Sequence, residues 1–167
     1  RTFQNIRLFK DLTVLDNVRI AFHKDVHYGF FSAIFRSTSF FRGEQDMERQ
    51  AMEFLSIFNL DQRRNEIASS LPYGEQRLLE ICRALASEPR LLLLDEPCAG
   101  MNPVEMDTLA AFLKKLRQKG TTLFIIEHNM RFIMSIAERI VVLDAGAKFR
   151  EGTPGQIQQD KEVQRIY

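Results

Sequence analysis

The chain has 167 residues, 45% of them apolar, which is enough for one ordinary core and too much for a disordered tail. Lysine and arginine number 23 against 22 aspartates and glutamates, so the net charge is only +1; nothing provides the basic excess that neutralises nucleic-acid phosphates, and nucleic acid is not an expected partner. Cys82 and Cys98 share no CxxC spacing, which argues against a disulfide framework or a zinc site and for two small core residues in a reducing compartment.

The chain opens on arginine, and Arg1–Phe9 (RTFQNIRLF) starts in mid-pattern, with neither a helix start nor a strand run, so a truncated amino terminus is expected. Thr13–Phe22 has Val14, Val18, Ala21 and Phe22 at helical spacing behind Thr13 as N-cap. His23 and His27 follow at i, i+4 without an evident third ligand, and packing or solvated histidines are the expectation. Tyr28–Phe41 is rich in phenylalanine, with Phe31, Ile34 and Phe35 on one helical face and Arg36 and Arg42 nearby. A long amphipathic helix is predicted over Glu44–Phe58, with Met47, Ala51, Phe54, Leu55 and Phe58 on one face.

Beyond Pro72 the pattern changes. A helix is predicted from about Glu75 to Ala86, then the aliphatic run Leu91–Leu94, then a helix capped by Asn102 with Pro103 at its first position and Gly120 closing it. Leu91–Leu94 is far short of the roughly 20 apolar residues that cross a bilayer, and no signal peptide opens the chain, so a soluble, non-spanning protein is expected. Thr122–Ile126 and Ile140–Leu143 read as buried parallel strands on either side of a helix capped by Asn129. Asp144-Ala145-Gly146 reads as a turn into a last strand, and Thr153-Pro154 opens a short helix followed by one more to Tyr167. Strands alternating with helices imply an α/β fold with a parallel sheet.

The chemistry concentrates where aliphatic runs end. LLLLDEP, Leu91–Pro97, places Asp95 and Glu96 immediately after a buried strand, at the carboxyl edge where open α/β sheets hold their ligands. There the first carboxylate suits a magnesium ion and the second suits proton abstraction from water in phosphoryl transfer. His128, in Glu127-His128, emerges just past the next aliphatic run. Upstream, Ser70–Leu85 (SLPYGEQRLLEICRAL) opens a helix at Gly74, whose free N–H groups form a natural anion site.

LPYGEQ at Leu71–Gln76, LLLLDEP, AGMNP at Ala99–Pro103 and EH at Glu127-His128 resemble, in order and spacing, the signature, Walker B, D-loop and H-loop of ABC-type ATPases, and RTFQNIRLF resembles their Q-loop segment. The resemblance covers essentially the whole chain. Through FQNIRLF, the LPYGEQ signature, the phenylalanine-rich insert after Tyr28 and the tail GTPGQIQQDKEVQRIY, it is most similar to the ATPase subunits of branched-chain amino-acid importers. It implies a P-loop NTPase-type ABC core divided into a Q-loop segment (1–13), a helical subdomain (14–69) and a signature-to-carboxy-terminal part (70–167).

The resemblance further implies ATP and Mg2+ as ligands, with Glu96 as general base, Asp95 and Gln4 at the metal, and His128 on the γ-phosphate. Leu71, Pro72, Tyr73, Gly74, Glu75 and Gln76 would cover, in trans, the ATP held by a second ATPase subunit. The implied setting is the cytoplasmic face of the inner membrane, with permease subunits as direct partners and an external solute-binding protein as an indirect one.

Three departures stand out. Pro72 replaces the serine whose hydroxyl would touch the γ-phosphate, leaving the N–H groups of Tyr73 and Gly74. Asn102 stands where the D-loop usually has aspartate, and no catalytic role is expected of it. No GxxxxGK followed by Ser or Thr occurs anywhere; in the family that phosphate loop precedes the Q-loop, so it is expected upstream of Arg1, and the chain alone is expected to be inactive. A non-transport ABC ATPase of DNA repair or translation is disfavoured because sustained heptads and a basic surface are lacking, and a non-catalytic regulatory cassette is disfavoured by Glu96.

Overall fold

The computed structural model describes residues 8–22 and 38–166, with side chains from residue 43 onward in the second stretch. Gln4, His23, His27 and most of the phenylalanine-rich insert therefore lie outside the described residues. The chain divides into two compact units, 1–126 and 127–167.

The first unit begins with α1 (Val14–Phe22), capped as predicted: Thr13 Oγ1 accepts from the Asp16 amide at 3.0 Å. Asn17 of α1 is fully buried, yet its amide group is used on both sides. Its Oδ1 accepts from the Phe9 amide at 2.9 Å, while Nδ2 donates to the carbonyls of Phe9 and Thr13 at 3.0 Å, which pins the segment leading into the helix. α2 (Thr38–Ile57) buries Met47, Ala51 and Leu55 along one face, and Phe58 just beyond its end. α1 packs against α2 and against α3 (Tyr73–Leu85), which buries Leu78, Leu79, Ile81, Cys82 and Leu85. Complete burial pushes the Cys82 thiol far above the ordinary thiol range.

β1 (Leu91–Asp95), α4 (Pro103–Gln118) and β2 (Thr122–Ile126) form the α/β part of this unit. β1 and β2 are parallel, in register from Leu91 opposite Thr122 to Asp95 opposite Ile126. Leu92 and Leu94 are buried and the intervening residues are not, so β1 shows the alternation of a strand covered on one face.

The second unit holds α5 (Met130–Ile136), β3 (Ile140–Asp144), β4 (Ala147–Gly152), α6 (Pro154–Gln159) and α7 (Val163–Ile166). Its core is Val142, Ile157 and Val163, with Met130, Met134, Ile140 and Phe149 packed around them. Here one expectation fails: the Ile140–Leu143 run is an antiparallel strand paired with β4, not a parallel one. The cause is local. Ala145 and Gly146 take φ of +47° and +79°, the doubly left-handed turn that folds a strand straight back on itself. Nor are these runs buried on both faces, since Phe124, Ile126, Val141 and Leu143 are all about half exposed or more.

Candidate functional site

The parallel ladder carries two carboxylates to its end. Asp95 is the last residue of β1, and the Glu96 amide donates to the Ile126 carbonyl at 2.8 Å, one step past the strand. The chain then turns sharply: Glu96 has φ +45°, its carbonyl accepts from the Ala99 amide at 3.2 Å, and Met101 N–H closes on the Cys98 carbonyl at 3.1 Å. A non-glycine residue in the left-handed region costs about 1–2 kcal/mol and is held there by its surroundings. Pro97 and Cys98 are buried while Asp95 and Glu96 stay partly exposed, so the turn lifts the carboxylates out of an anchored base.

That base is gripped from α3. Arg77 and Glu80 are buried, with Arg77 Nη1 donating to Glu80 Oε2 at 2.7 Å. The other arm, Nη2, donates to the carbonyls of Asp95 and of Glu96, the latter at 3.2 Å. Neither Arg77 nor Glu80 was expected among the site residues. The signal was present: Arg77 lies on the same helical face as Leu78, Ile81 and Leu85, and a charge on an apolar stripe with an acid three residues on marks a buried pair.

The LPYGEQ segment forms the mouth of α3. Leu71 is buried and anchors it; Gln76 Nε2 donates to the Leu71 carbonyl at 2.8 Å, and Glu75 pairs with Arg63 at 3.3 Å. Pro72 is the N-cap residue and supplies no side-chain cap, so the first N–H groups of α3, at Tyr73 and Gly74, point along the helix axis towards any anion set before it. Gly74 lies against the loop after β1, where an added β-carbon would stand 2.9 Å from the Gly100 carbonyl oxygen. Asn102 is occupied as a cap: its Oδ1 accepts from the amides of Val104 at 2.9 Å and Glu105 at 3.0 Å, and Glu105 answers by accepting from the Asn102 amide at 2.8 Å.

His128 belongs to the second unit, with its side chain 75% exposed. The segment around it is organised by Glu127, whose buried carboxylate accepts from the amides of His128 at 2.7 Å and Asn129 at 2.9 Å, while Asn129 caps α5 through the Phe132 amide. The structure thus brings Leu71–Gln76, Asp95 and Glu96 into one unit, joined through Arg77 and Gly100. It describes His128 separately, and Gln4 lies outside the described residues.

Comparison with known proteins identifies the family and the fold. Along its length the chain is 42% identical over 168 residues to the high-affinity branched-chain amino acid transport ATP-binding protein BraF of Pseudomonas aeruginosa and 40% identical to LivG of Escherichia coli. The match takes in all of this chain and 66% of each relative, so the chain spans slightly less than two thirds of their length. Its fold matches that of the ATP-binding cassette MJ0796 in a dimeric, post-hydrolysis state bound to ADP and Pi, with a TM-score of 0.76 at 25% identity over 92% of this chain and 61% of that one. The ADP conformation of the cassette MJ1267 matches with a TM-score of 0.74 at 28% identity, covering 100% of this chain and 66% of the other. Residues 1–99 fit the family model described as ABC transporter. With four of the family's motifs in order, the carboxylates at the end of a parallel strand and this cassette fold, the chain belongs to the ABC transporter family.

Proposed function

We propose that the chain is part of the ATP-hydrolysing subunit of an importer for branched-chain or other hydrophobic amino acids, working at the cytoplasmic face of the membrane. The observation that carries the reading is the strand end at Asp95 and Glu96: two adjacent carboxylates on a rigid ladder, in a chain 42% identical to a branched-chain amino acid transport ATP-binding protein. None of the described helices is long and apolar enough to cross a membrane, so passage of the solute falls to separate permease subunits in this proposal.

In this reading Glu96 accepts the proton of the water that attacks the γ-phosphate. Its anchored backbone keeps the carboxylate from drifting, and positioning of that kind is most of what catalysis of phosphoryl transfer requires. Asp95, a hard oxygen donor half-screened from water, fits a magnesium ion, with Gln4 as a second contact. When bound, the ion neutralises charge on the phosphate oxygens. The amides of Tyr73 and Gly74 at the mouth of α3 would meet the γ-phosphate of ATP held by a second subunit, and His128 would contact the same phosphate in its own subunit.

The cargo is testable by reconstitution of the full-length subunit with its permease and external binding protein. Hydrolysis is expected to rise when leucine, isoleucine or valine is supplied with the binding protein. Stimulation by a different solute class and none by these would reassign the transporter.

A further inference from the structure

We propose that Arg77 is a positioning residue for the Glu96 carboxylate, tying the helix behind Leu71–Gln76 to the strand end where hydrolysis takes place; the inference rests on the reading of Glu96 as general base. An arginine needed only to neutralise Glu80 would be satisfied by that pair. Arg77 instead divides its fork, one arm to Glu80 and the other to the carbonyls of Asp95 and Glu96, with the whole side chain buried.

Those contacts bear on Glu96, a non-glycine residue held in the left-handed region. The Glu96 amide is bound to Ile126 and its carbonyl to Arg77 and Ala99, so both peptide groups flanking its α-carbon are fixed, and with them the Cα–Cβ bond from which its side chain departs. Arg77 lies one residue beyond Gln76 on the same rigid helix. A small shift of that helix when the LPYGEQ segment meets nucleotide is therefore felt at the Glu96 carbonyl. Engagement of the in-trans cap and alignment of the base become linked through one guanidinium.

Arg77→Lys tests this in the full-length subunit, because an ammonium keeps the charge opposite Glu80 but carries all its donors on one nitrogen, without the fork whose two arms reach Glu80 and the carbonyls of Asp95 and Glu96. We expect kcat to fall by about ten- to a hundredfold, the range that slight misplacement of a reacting group produces, with KM for ATP and thermal stability nearly unchanged. The same substitution is then made in a Glu96→Gln background and single-turnover phosphate release measured. If Arg77 acts through Glu96, Arg77→Lys has no further effect there. Equal losses in both backgrounds, or an unaltered kcat in folded Arg77→Lys, would overturn the proposal. Should Arg77→Lys melt below the assay temperature, Arg77→Met with Glu80→Met replaces the pair by apolar groups, and a folded protein with undiminished kcat overturns the proposal equally. Normal turnover in Glu96→Gln alone would instead remove the reading of Glu96 as base, an outcome separate from any result at Arg77.

Discussion

Tyr73 and Gly100 are fitted to one another: a β-carbon at Gly100 would stand 2.4 Å from Tyr73 Cδ1, and Gly100 holds φ +73°. The residue that opens α3 thus rests on the loop that follows the β1 carboxylates. Two segments well separated in sequence are packed against one another, and the glycine permits it both by its conformation and by its missing side chain.

Gly100→Ala should therefore destabilise the full-length subunit by about 1–2 kcal/mol for the left-handed backbone alone, with a further loss from displacing the ring. Tyr73 is 50% exposed, so its ring has room to swing away, and the second contribution is the smaller. Urea unfolding of Gly100→Ala with and without Tyr73→Ala separates the two. The paired variant should recover the ring contribution and keep the backbone one. Wild-type stability in Gly100→Ala would show that loop and ring are not in contact.

Asn102→Ala removes the cap of α4 and should destabilise by about 1 kcal/mol, while Asn102→Asp keeps the cap and places a negative charge at a helix N-terminus, so it should match or exceed the wild type. Both variants are expected to retain ATP turnover, because the Asn102 side chain is engaged with Val104 and Glu105. Thermal melts beside phosphate-release assays check this. A large drop in turnover at unchanged stability would return Asn102 to the catalytic machinery.

Glu96→Gln keeps the shape and every backbone contact of the turn while removing the base. Turnover of the full-length subunit should fall about a hundredfold or more, with ATP binding retained. Nucleotide titration beside steady-state hydrolysis gives both quantities from one preparation.

Much of this was legible because the decisive signals are local. Thr13, Asn102, Asn129 and Thr153 announce helix starts through short-range hydrogen bonds, and each cap is present. The LLLL run before Asp95 likewise fixes a strand by its neighbours alone. The misses were of another kind. Whether Ile140–Leu143 pairs parallel or antiparallel depends on its partner; the turn into a last strand is legible at Asp144-Ala145-Gly146, but that it brings β4 back alongside β3 is set by the left-handed pair Ala145-Gly146. The Arg77–Glu80 pair is marked by its place on an apolar helix face, but the contact with Asp95 and Glu96 is not legible, because no periodicity within α3 reveals a carbonyl supplied by another element.

Cys82 offers a probe that is independent of activity. Its thiol is fully buried, sits near the Phe54 carbonyl at 3.6 Å, and is held protonated by burial. At mildly alkaline pH it should resist alkylation in the native protein and label at the rate of a free thiol once urea unfolds α3. Mass spectrometry of the Cys82 peptide reads the modification directly. Rapid labelling of native protein would mean that the contact of α3 with α1 and α2 opens readily.

The 167 residues taken alone should not hydrolyse ATP, although Asp95, Glu96, the LPYGEQ segment and His128 are all among them. Phosphoryl transfer relies on positioning and electrostatic stabilisation, and a nest of backbone amides with a lysine around the β- and γ-phosphates supplies both; no GxxxxGK motif followed by Ser or Thr is found in this sequence. A well-aimed base without a held substrate gives no turnover. Phe124 and Ile126 on β2, at 58% and 55% exposed, and Leu143 on β3, at 58%, leave apolar strand faces open to water, so the isolated chain should also self-associate. Phosphate release on incubation with magnesium and ATP, measured beside light scattering, decides both points. A monodisperse preparation turning over at the rate of an intact subunit would place a phosphate-holding site within these residues and would require a new assignment for the N-terminus of α3.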